Sequence, residues 1–163
     1  MILRMLVPFV IAAMLGYVVT LHALPGRVME KATEVLGETA VGRGFYLSSR
    51  ITPESQRVVR SSPDLAYSIC ILDLTQGSWE LSAEPWDSYA SLSVFAANTD
   101  NVATLSMGPD SLGSQRIVIG SGDEADLKLE GPNAIALIRR LAPTEELYAE
   151  AARAAQSDVC RLL

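Results

Sequence analysis

The residues of this sequence that could do chemistry are few, and histidine is the scarcest of them. The only histidine, His22, lies in an uncharged apolar stretch near the N-terminus. The rest of the chain therefore cannot build a Ser-His-Asp or Cys-His catalytic system, and its metal ligands would have to be oxygen atoms. The densest acidic run, Gly122-Asp123-Glu124-Ala125-Asp126, lacks the spacing and the terminal glutamate of a calcium loop. We interpret it as a solvated turn and predict no metal site.

Two further groups of side chains leave functional alternatives open. The carboxylates of Glu80, Glu84 and Asp87 would suit a carboxylate-dependent enzyme, such as a glycoside hydrolase, if two of them lay at the required separation. Four aromatic residues would suit a small-ligand or carbohydrate-binding module by offering a stacking platform: Trp79, Trp86, Tyr89 and Phe95. Packing in the core and the turns is the simpler interpretation of these aromatics. The glycines match neither the dinucleotide nor the phosphate-loop motif, so no cofactor is predicted.

The two cysteines, Cys70 and Cys160, belong to no CxxC pair, which excludes a zinc ribbon and a thioredoxin-type redox site. Two interpretations remain. If the domain lies outside the cytoplasm, a disulfide between them would close a long loop and stabilise the fold by roughly 4 kcal/mol. Alternatively, Cys70 is a buried small apolar residue and Cys160 is a free thiol.

An apolar segment near the N-terminus is long enough to cross a membrane. No charged residue lies between Arg4 and Arg27, and these 22 positions would reach about 33 Å as a helix, at about 1.5 Å per residue. A cleaved secretory signal is the alternative, but Leu21-His22-Ala23 is a poor cleavage sequence because Leu21 occupies a position that needs a small residue. We therefore expect residues 1–26 to form an uncleaved anchor that contacts the bilayer through residues 5–26.

Residues 27–62 are predicted to hold an amphipathic helix and a connecting segment. Pro25-Gly26 is expected to end the span, and four apolar residues then fall on one helical face: Val28, Ala32, Val35 and Leu36. The mixed charges of this helix favour packing on the domain over binding to lipid.

Residues 63–163 are predicted to form one β-rich domain. Short runs of β-branched and aromatic residues alternate there with turn residues. The predicted strands are Ala66–Leu74, Ser78–Ala83, Tyr89–Ala96, Val102–Ser106, Arg116–Ile119 and Leu127–Leu129. Thr144, followed by Glu145 and Glu146, predicts the start of a C-terminal helix, whose apolar residues repeat every four positions as far as Val159. The fold class is therefore mainly β, with a C-terminal helix and one N-terminal transmembrane helix.

Several short motifs are more specific when they are considered together. They are Ser62–Ser68 leading into Leu72–Leu74, Asn98–Asn101 after the predicted strand Tyr89–Ala96, and a final strand at Leu137–Arg140. With them, most of Pro63–Val159 resembles the family called domain of unknown function 1254. The resemblance implies a β-sandwich-like domain of bacterial envelope proteins, with no established reaction. Long members of that family add a second domain that this chain lacks.

A ligand site in such a domain would be expected where certain polar motif residues converge: Asp64, Tyr67, Asn98, Asp100 and Asn101. The net charge of −6 and a pI near 4.8 argue against binding to nucleic acid. The leading hypothesis is a non-enzymatic envelope protein, anchored by one span in the bacterial inner membrane with its domain in the periplasm. It would bind a protein partner or belong to a membrane complex.

Overall fold

The structure, a computed structural model, describes residues 2–40, 44–52, 61–111 and 113–163. A long helix, α1 (Ile2–Ala40), precedes nine strands and a short helix, α2 (Glu145–Ala154). The strands are β1 (Tyr46–Leu47), β2 (Leu65–Asp73), β3 (Trp79–Ala83), β4 (Ala90–Ala96), β5 (Asn101–Ser106), β6 (Gln115–Gly120), β7 (Leu127–Lys128), β8 (Asn133–Leu141) and β9 (Val159–Leu162). The prediction of a mainly β domain with a C-terminal helix is confirmed.

The strands form two sheets that share one core. The five-stranded sheet has the antiparallel order β1-β2-β8-β4-β5, and the four-stranded sheet has the order β7-β6-β3-β9. Because alternate side chains point to opposite faces of a strand, Leu72, Leu92 and Ile138 point inward from the first sheet, where Leu81 and Ile119 of the second meet them. The opposite face of the five-stranded sheet is left for α1 and for polar residues.

A disulfide between Cys70 of β2 and Cys160 of β9 joins the two sheets. The Cα atoms are 6.6 Å apart, and Cys70 is fully buried within the common core. The structure therefore has the bridged arrangement and not the free thiol. The bridge fixes the C-terminal strand, which pairs with β3 through Trp79–Ser82.

The break predicted at Pro25-Gly26 is absent, since α1 continues through Pro25. A proline inside a helix removes one hydrogen bond and costs about 3 kcal/mol, which flanking helical turns can offset, and apolar membrane helices tolerate it. By length and composition, α1 can cross a membrane, since an 18-residue window within Leu6–Gly37 has a mean hydropathy of 2.0.

The C-terminal half of α1 packs on the outer face of the five-stranded sheet. Met29 is buried against Ile71 of β2 and Ile135 of β8, and Ala32 and Leu36 join the contact. The prediction that this part of the helix covers the domain is therefore correct for Ala32 and Leu36. It is wrong for Val28 and Val35, which are 49% and 37% exposed, because the continuous helix turns Met29 toward the sheet.

The helix α2 begins as predicted, with the Thr144 side chain accepting a hydrogen bond from the Leu147 amide at 3.3 Å. Its predicted extension to Val159 is wrong, since the helix ends at Ala154 and Val159 begins β9. Pairing with β3 and the bond to Cys70 favour a strand for this segment over further helical turns. Ala151 packs with Ala66 and Ala142, which fixes α2 at one end of the core.

Candidate functional site

The five residues predicted to form a ligand site do not converge. Asp64 and Tyr67 lie at the start of β2, whereas Asn98, Asp100 and Asn101 lie at the turn that follows β4. Both β2 and β4 pair antiparallel with β8, so they run in the same direction, and the start of one lies at the opposite end of the sheet from the end of the other. The sequence gives no strand order, and this order is what separates the two groups.

The separated residues make local hydrogen bonds. The Asn98 amide nitrogen donates to the Asp100 carboxylate at 2.6 Å, and the Asp100 backbone carbonyl accepts from the Ala96 amide at 2.9 Å. These bonds close the β4–β5 turn, in which Thr99 has a left-handed φ of 71°. At the other end, the Ser62 amide donates to the Tyr67 hydroxyl at 2.9 Å.

The remaining two predicted residues also have structural contacts. The backbone carbonyl of Asp64 accepts a hydrogen bond from the Ala142 amide at 2.8 Å, which links the start of β2 to the end of β8. The Asn101 side chain hydrogen bonds with the Thr104 hydroxyl on the next outward position of β5. These contacts place both residues in the framework of the five-stranded sheet.

The aromatic residues do not form one platform. Trp79 is buried in the core and donates to the Asp73 carbonyl at 3.0 Å, and Phe95 packs beneath α1. Trp86 donates to the Leu141 carbonyl and lines a shallow groove beside α2. Tyr89 is 51% exposed on the outer face of the five-stranded sheet. Only Tyr89 is therefore open to a ligand on that face.

Tyr89 lies on a polar surface that the sequence reasoning did not identify. We name it the Arg139 surface, and it comprises Arg139 of β8 with the hydroxyl residues Tyr67, Tyr89, Ser91, Ser93 and Thr104. In the sheet register, Arg139 lies between Tyr67 of β2 and Ser91 of β4. The alternation of side chains along β8 could have predicted that Arg139 lies on the outer face of the sheet. The hydroxyl groups beside it depend on the strand order, which the sequence does not give.

Hydrogen bonds link five of the six members of the Arg139 surface in two groups. Arg139 Nη2 donates to Ser93 Oγ at 2.8 Å, and Ser93 Oγ lies 3.2 Å from Thr104 Oγ1. The Tyr89 hydroxyl lies 3.3 Å from Ser91 Oγ. Ser91 and Ser93 are buried, whereas Thr104 and Tyr89 are exposed. The surface therefore has a buried polar floor and an open side.

Arg139 has no carboxylate partner among the residues that the structure describes. The ion pairs of those residues include the neighbouring Arg140 but not Arg139. Moreover, Arg139 Nε is buried and lacks a hydrogen-bond acceptor. A half-buried cation with an unsatisfied donor is costly, so this surface favours an anion.

The other charged clusters are internally paired. Glu80 of β3 lies between Arg116 of β6 and Arg161 of β9, with both N···O distances 2.6 Å. The hydrogen bond from Arg116, and then that from Arg161, lowers the pKa of Glu80. A general acid needs the opposite shift. The arrangement therefore suits a structural bridge across the four-stranded sheet.

The acidic run at residues 122–126 is also engaged in structure. Ser78 Oγ donates to Glu124 at 2.5 Å, which lowers the pKa of that carboxyl, and Asp126 accepts from the Val118 amide at 2.8 Å. Asp123 pairs with Lys128 at 2.8 Å. Within the described ranges, no group of three or more histidine, cysteine, aspartate or glutamate residues is arranged to hold a metal ion.

Comparison with solved structures gives matches that include two proteins, of which the first has a similar fold. The crystal structure of the VPA0106 protein from Vibrio parahaemolyticus matches with a TM-score of 0.59 and 15% identity, over 88% of this chain and 37% of that chain. An uncharacterised protein from Burkholderia cenocepacia matches with a TM-score of 0.46 and 19% identity, over 75% of this chain and 37% of that chain. The present chain thus spans little more than a third of either protein.

The comparison with curated proteins and with protein families gives two further results. No curated protein matches the chain. The model of a family described as "Protein of unknown function (DUF1254)" matches residues 43–160, which is most of the sequence and includes both sheets and α2. The chain belongs to the DUF1254 family of proteins of unknown function.

Proposed function

We propose that this chain is a non-enzymatic, membrane-anchored envelope protein whose β domain is an accessory subunit of a membrane complex. The observation that carries the proposal is the continuity of α1 from its apolar N-terminal part to its contact with the five-stranded sheet. Leu24 is 55% exposed and Met29 only 5%. Leu24 and Met29 are five positions apart, which is about 8 Å along the helix at about 1.5 Å per residue, so the helix would hold the domain at the bilayer surface.

The proposed location is the bacterial inner membrane, with a single span and the domain in the periplasm. The Cys70–Cys160 disulfide supports this side, because disulfides persist in the periplasm and are rare in the cytoplasm. The flanking charges do not oppose it, since Arg4 and the amino terminus on one side are nearly balanced by Arg27 and Lys31 on the other.

A role in a complex is supported by the position of the β domain, which α1 would hold at the membrane surface, where it can contact a protein embedded in the same bilayer. The alternative of a carboxylate-dependent enzyme loses support because Glu80, one of its three candidate residues, is bridged by two arginines.

Topology is the first test of the proposal. Spheroplasts that express the full chain would be treated with a membrane-impermeant maleimide in three states: untreated, reduced, and lysed. We expect the reagent to label Cys70 and Cys160 after reduction under mildly denaturing conditions that keep the membrane closed. A cytoplasmic protein with accessible thiols is the control for an intact membrane, and it must stay unlabelled before lysis. Labelling that requires lysis would refute the periplasmic location.

The second test measures assembly. Native membranes would be solubilised in a mild detergent, and the mass of the particle containing the chain would be measured on a native gel. We expect a particle larger than the monomer with its detergent micelle. A matched variant, in which residues 1–26 are replaced by a cleavable secretory signal, should release the domain and lose that particle. A wild-type chain that migrates only as a monomer would contradict the proposed role in a complex.

A further inference from the structure

The Arg139 surface differs from every other charged cluster in the described ranges because its cation faces only neutral groups. The residues on the same face of the two neighbouring strands are Tyr67 and Ser91, directly opposite Arg139. The flanking outward positions are also uncharged: Ile69, Leu137, Tyr89 and Ser93. By contrast, the adjacent Arg140 is paired with the Asp158 carboxylate through two hydrogen bonds, although its Nε, like that of Arg139, has no acceptor.

We propose that the Arg139 surface binds a small organic carboxylate that carries hydroxyl groups, of the kind represented by a uronic acid. The guanidinium makes one hydrogen bond, to Ser93, so it retains donors for a carboxylate, which arginine binds through paired N–H groups. A cation without a charged partner therefore favours an anion at this position.

The hydroxyl groups of the surface determine the rest of the ligand. Serine, threonine and tyrosine hydroxyls can each donate and accept, which matches the hydroxyl groups of a sugar ring. The exposed members, Thr104 and Tyr89, lie on two sides of the buried Ser91 and Ser93. The Tyr89 ring is 51% exposed and can cover the apolar face of a ring-shaped ligand.

This inference is independent of the proposed membrane complex, because it rests only on the outer face of the five-stranded sheet. The experiment uses the full chain in lipid nanodiscs, labelled with ¹⁵N-arginine, and follows the side-chain Nε–Hε resonance of Arg139. Sodium glucuronate is the probe. Glucose, which has the ring hydroxyls without the carboxylate, and acetate, which has only the carboxylate, are the controls.

We expect glucuronate to shift the Arg139 resonance with saturation, and to bind at least about tenfold more tightly than glucose, since the carboxylate adds charge-assisted hydrogen bonds. Acetate should bind more weakly than glucuronate. If glucuronate and glucose bind equally, or glucuronate leaves the resonance unchanged at tens of millimolar, the proposal is overturned. If acetate binds as tightly as glucuronate, the assignment of a hydroxylated ligand is overturned.

Two variants separate the site from general charge effects. Arg139→Gln should weaken glucuronate binding at least about tenfold, because the paired donors are lost. Arg161→Gln removes an arginine that already pairs with Glu80, and it should leave binding within about twofold, as expected for an exposed charge far from the ligand. Thr104→Val, at an exposed position, gives a second test if Arg139→Gln does not fold. Unchanged affinity in Arg139→Gln, or in Thr104→Val where Arg139→Gln does not fold, would refute the site.

Discussion

Arg140 and Asp158 form an ion pair with almost no exposure to solvent. The side chains are 1% and 0% exposed, and two hydrogen bonds of 2.8 and 2.6 Å join them. Burial raises the pKa of Asp158, while the hydrogen bonds from Arg140 oppose that shift. Arg140 extends from the end of β8, and Asp158 precedes β9, so the pair joins the two sheets at one end of the core.

We therefore expect Asp158→Ala to lower the free energy of unfolding by about 3–5 kcal/mol, because it leaves the Arg140 cation buried and unpaired. Urea denaturation followed by tryptophan fluorescence would measure the loss. Glu150→Ala breaks the surface pair between Glu150 and Arg153, where the N···O distance is 3.9 Å, and it should cost under about 1 kcal/mol. Equal effects of the two substitutions would contradict the structural role assigned to the buried pair.

The Glu80 bridge predicts a dependence of stability on pH. Arg116 and Arg161 lower the pKa of Glu80 below its ordinary value of 4.5. The stabilisation is therefore complete above about pH 5 and is lost as the pH falls through the lowered pKa of the folded state. Glu80→Gln should be less stable than the wild type at pH 7, and the difference should shrink toward zero in strong acid. Urea midpoints measured from pH 7 to pH 2.5 would show this convergence, and a constant difference would contradict it.

Some features of the charged and polar residues could be predicted from the sequence, and others could not. The lone histidine and the lack of spaced metal ligands are properties of the sequence itself. Alternation along Ala134, Ala136 and Ile138 would place Arg140 in the core, where a charge needs a partner. The identity of that partner, Asp158, depends on how β9 returns to the second sheet. Strand order also places Ser91 and Ser93 beside Arg139.

At the scale of elements, α1 joins the apolar segment to the domain through one buried residue. Met29 packs on Ile71 and Ile135, whereas its neighbour Val28 is 49% exposed. We expect Met29→Ala to destabilise the domain by about 2 kcal/mol or more, the cost of removing a buried side chain. Val28→Ala is the matched control and should change stability by less than about 0.5 kcal/mol.

Denaturation of both variants in the same detergent would measure this difference, and proteolysis near residues 25–30 would report the loss of the contact. Met29→Ala should be cut faster than Val28→Ala, because the released helix exposes its backbone more often. Equal stability and equal cleavage would mean that α1 is not held by the sheet. That result would also weaken the proposal that the helix fixes the domain at the bilayer.

Local sequence patterns predicted the presence of helices and strands better than the residues at which they begin and end. The predicted strand Tyr89–Ala96 correctly identified β4, and the Thr144 cap correctly identified the start of α2. The errors occurred where a contact distant in sequence outweighs local preference. Packing of Met29 continues α1 beyond Pro25, and pairing with β3 makes Val159–Leu162 a strand. The two-residue strand β1 was missed because it is defined only by its pairing with β2.

At the scale of the whole molecule, the order of the strands determines which residues lie side by side on the surface. The predicted site combined residues from the start of β2 and from the turn after β4, which the parallel direction of these strands keeps apart. The same order puts β8 between them and creates the Arg139 surface. A family resemblance carries motif residues but not their mutual distances, so sequence reasoning could identify the fold and still combine the wrong residues into a site.

The disulfide is the whole-molecule feature with the largest predicted effect, because it closes a loop of 90 residues between β2 and β9. The loop-closure model gives a stabilisation of about 4–5 kcal/mol for a loop of this length. Since the stability of a small domain is about 5–15 kcal/mol, the double variant Cys70→Ala/Cys160→Ala should be only marginally folded.

Urea denaturation of the wild type with and without reductant, beside the double variant, would measure this effect. The reduced wild type and the variant should lose similar stability, and amide exchange should accelerate first in β9, whose pairing with β3 the bond secures. A loss under about 1 kcal/mol would mean that packing alone holds the C-terminal strand. The domain would then fold equally well in a reducing compartment, and the disulfide would no longer support a periplasmic location.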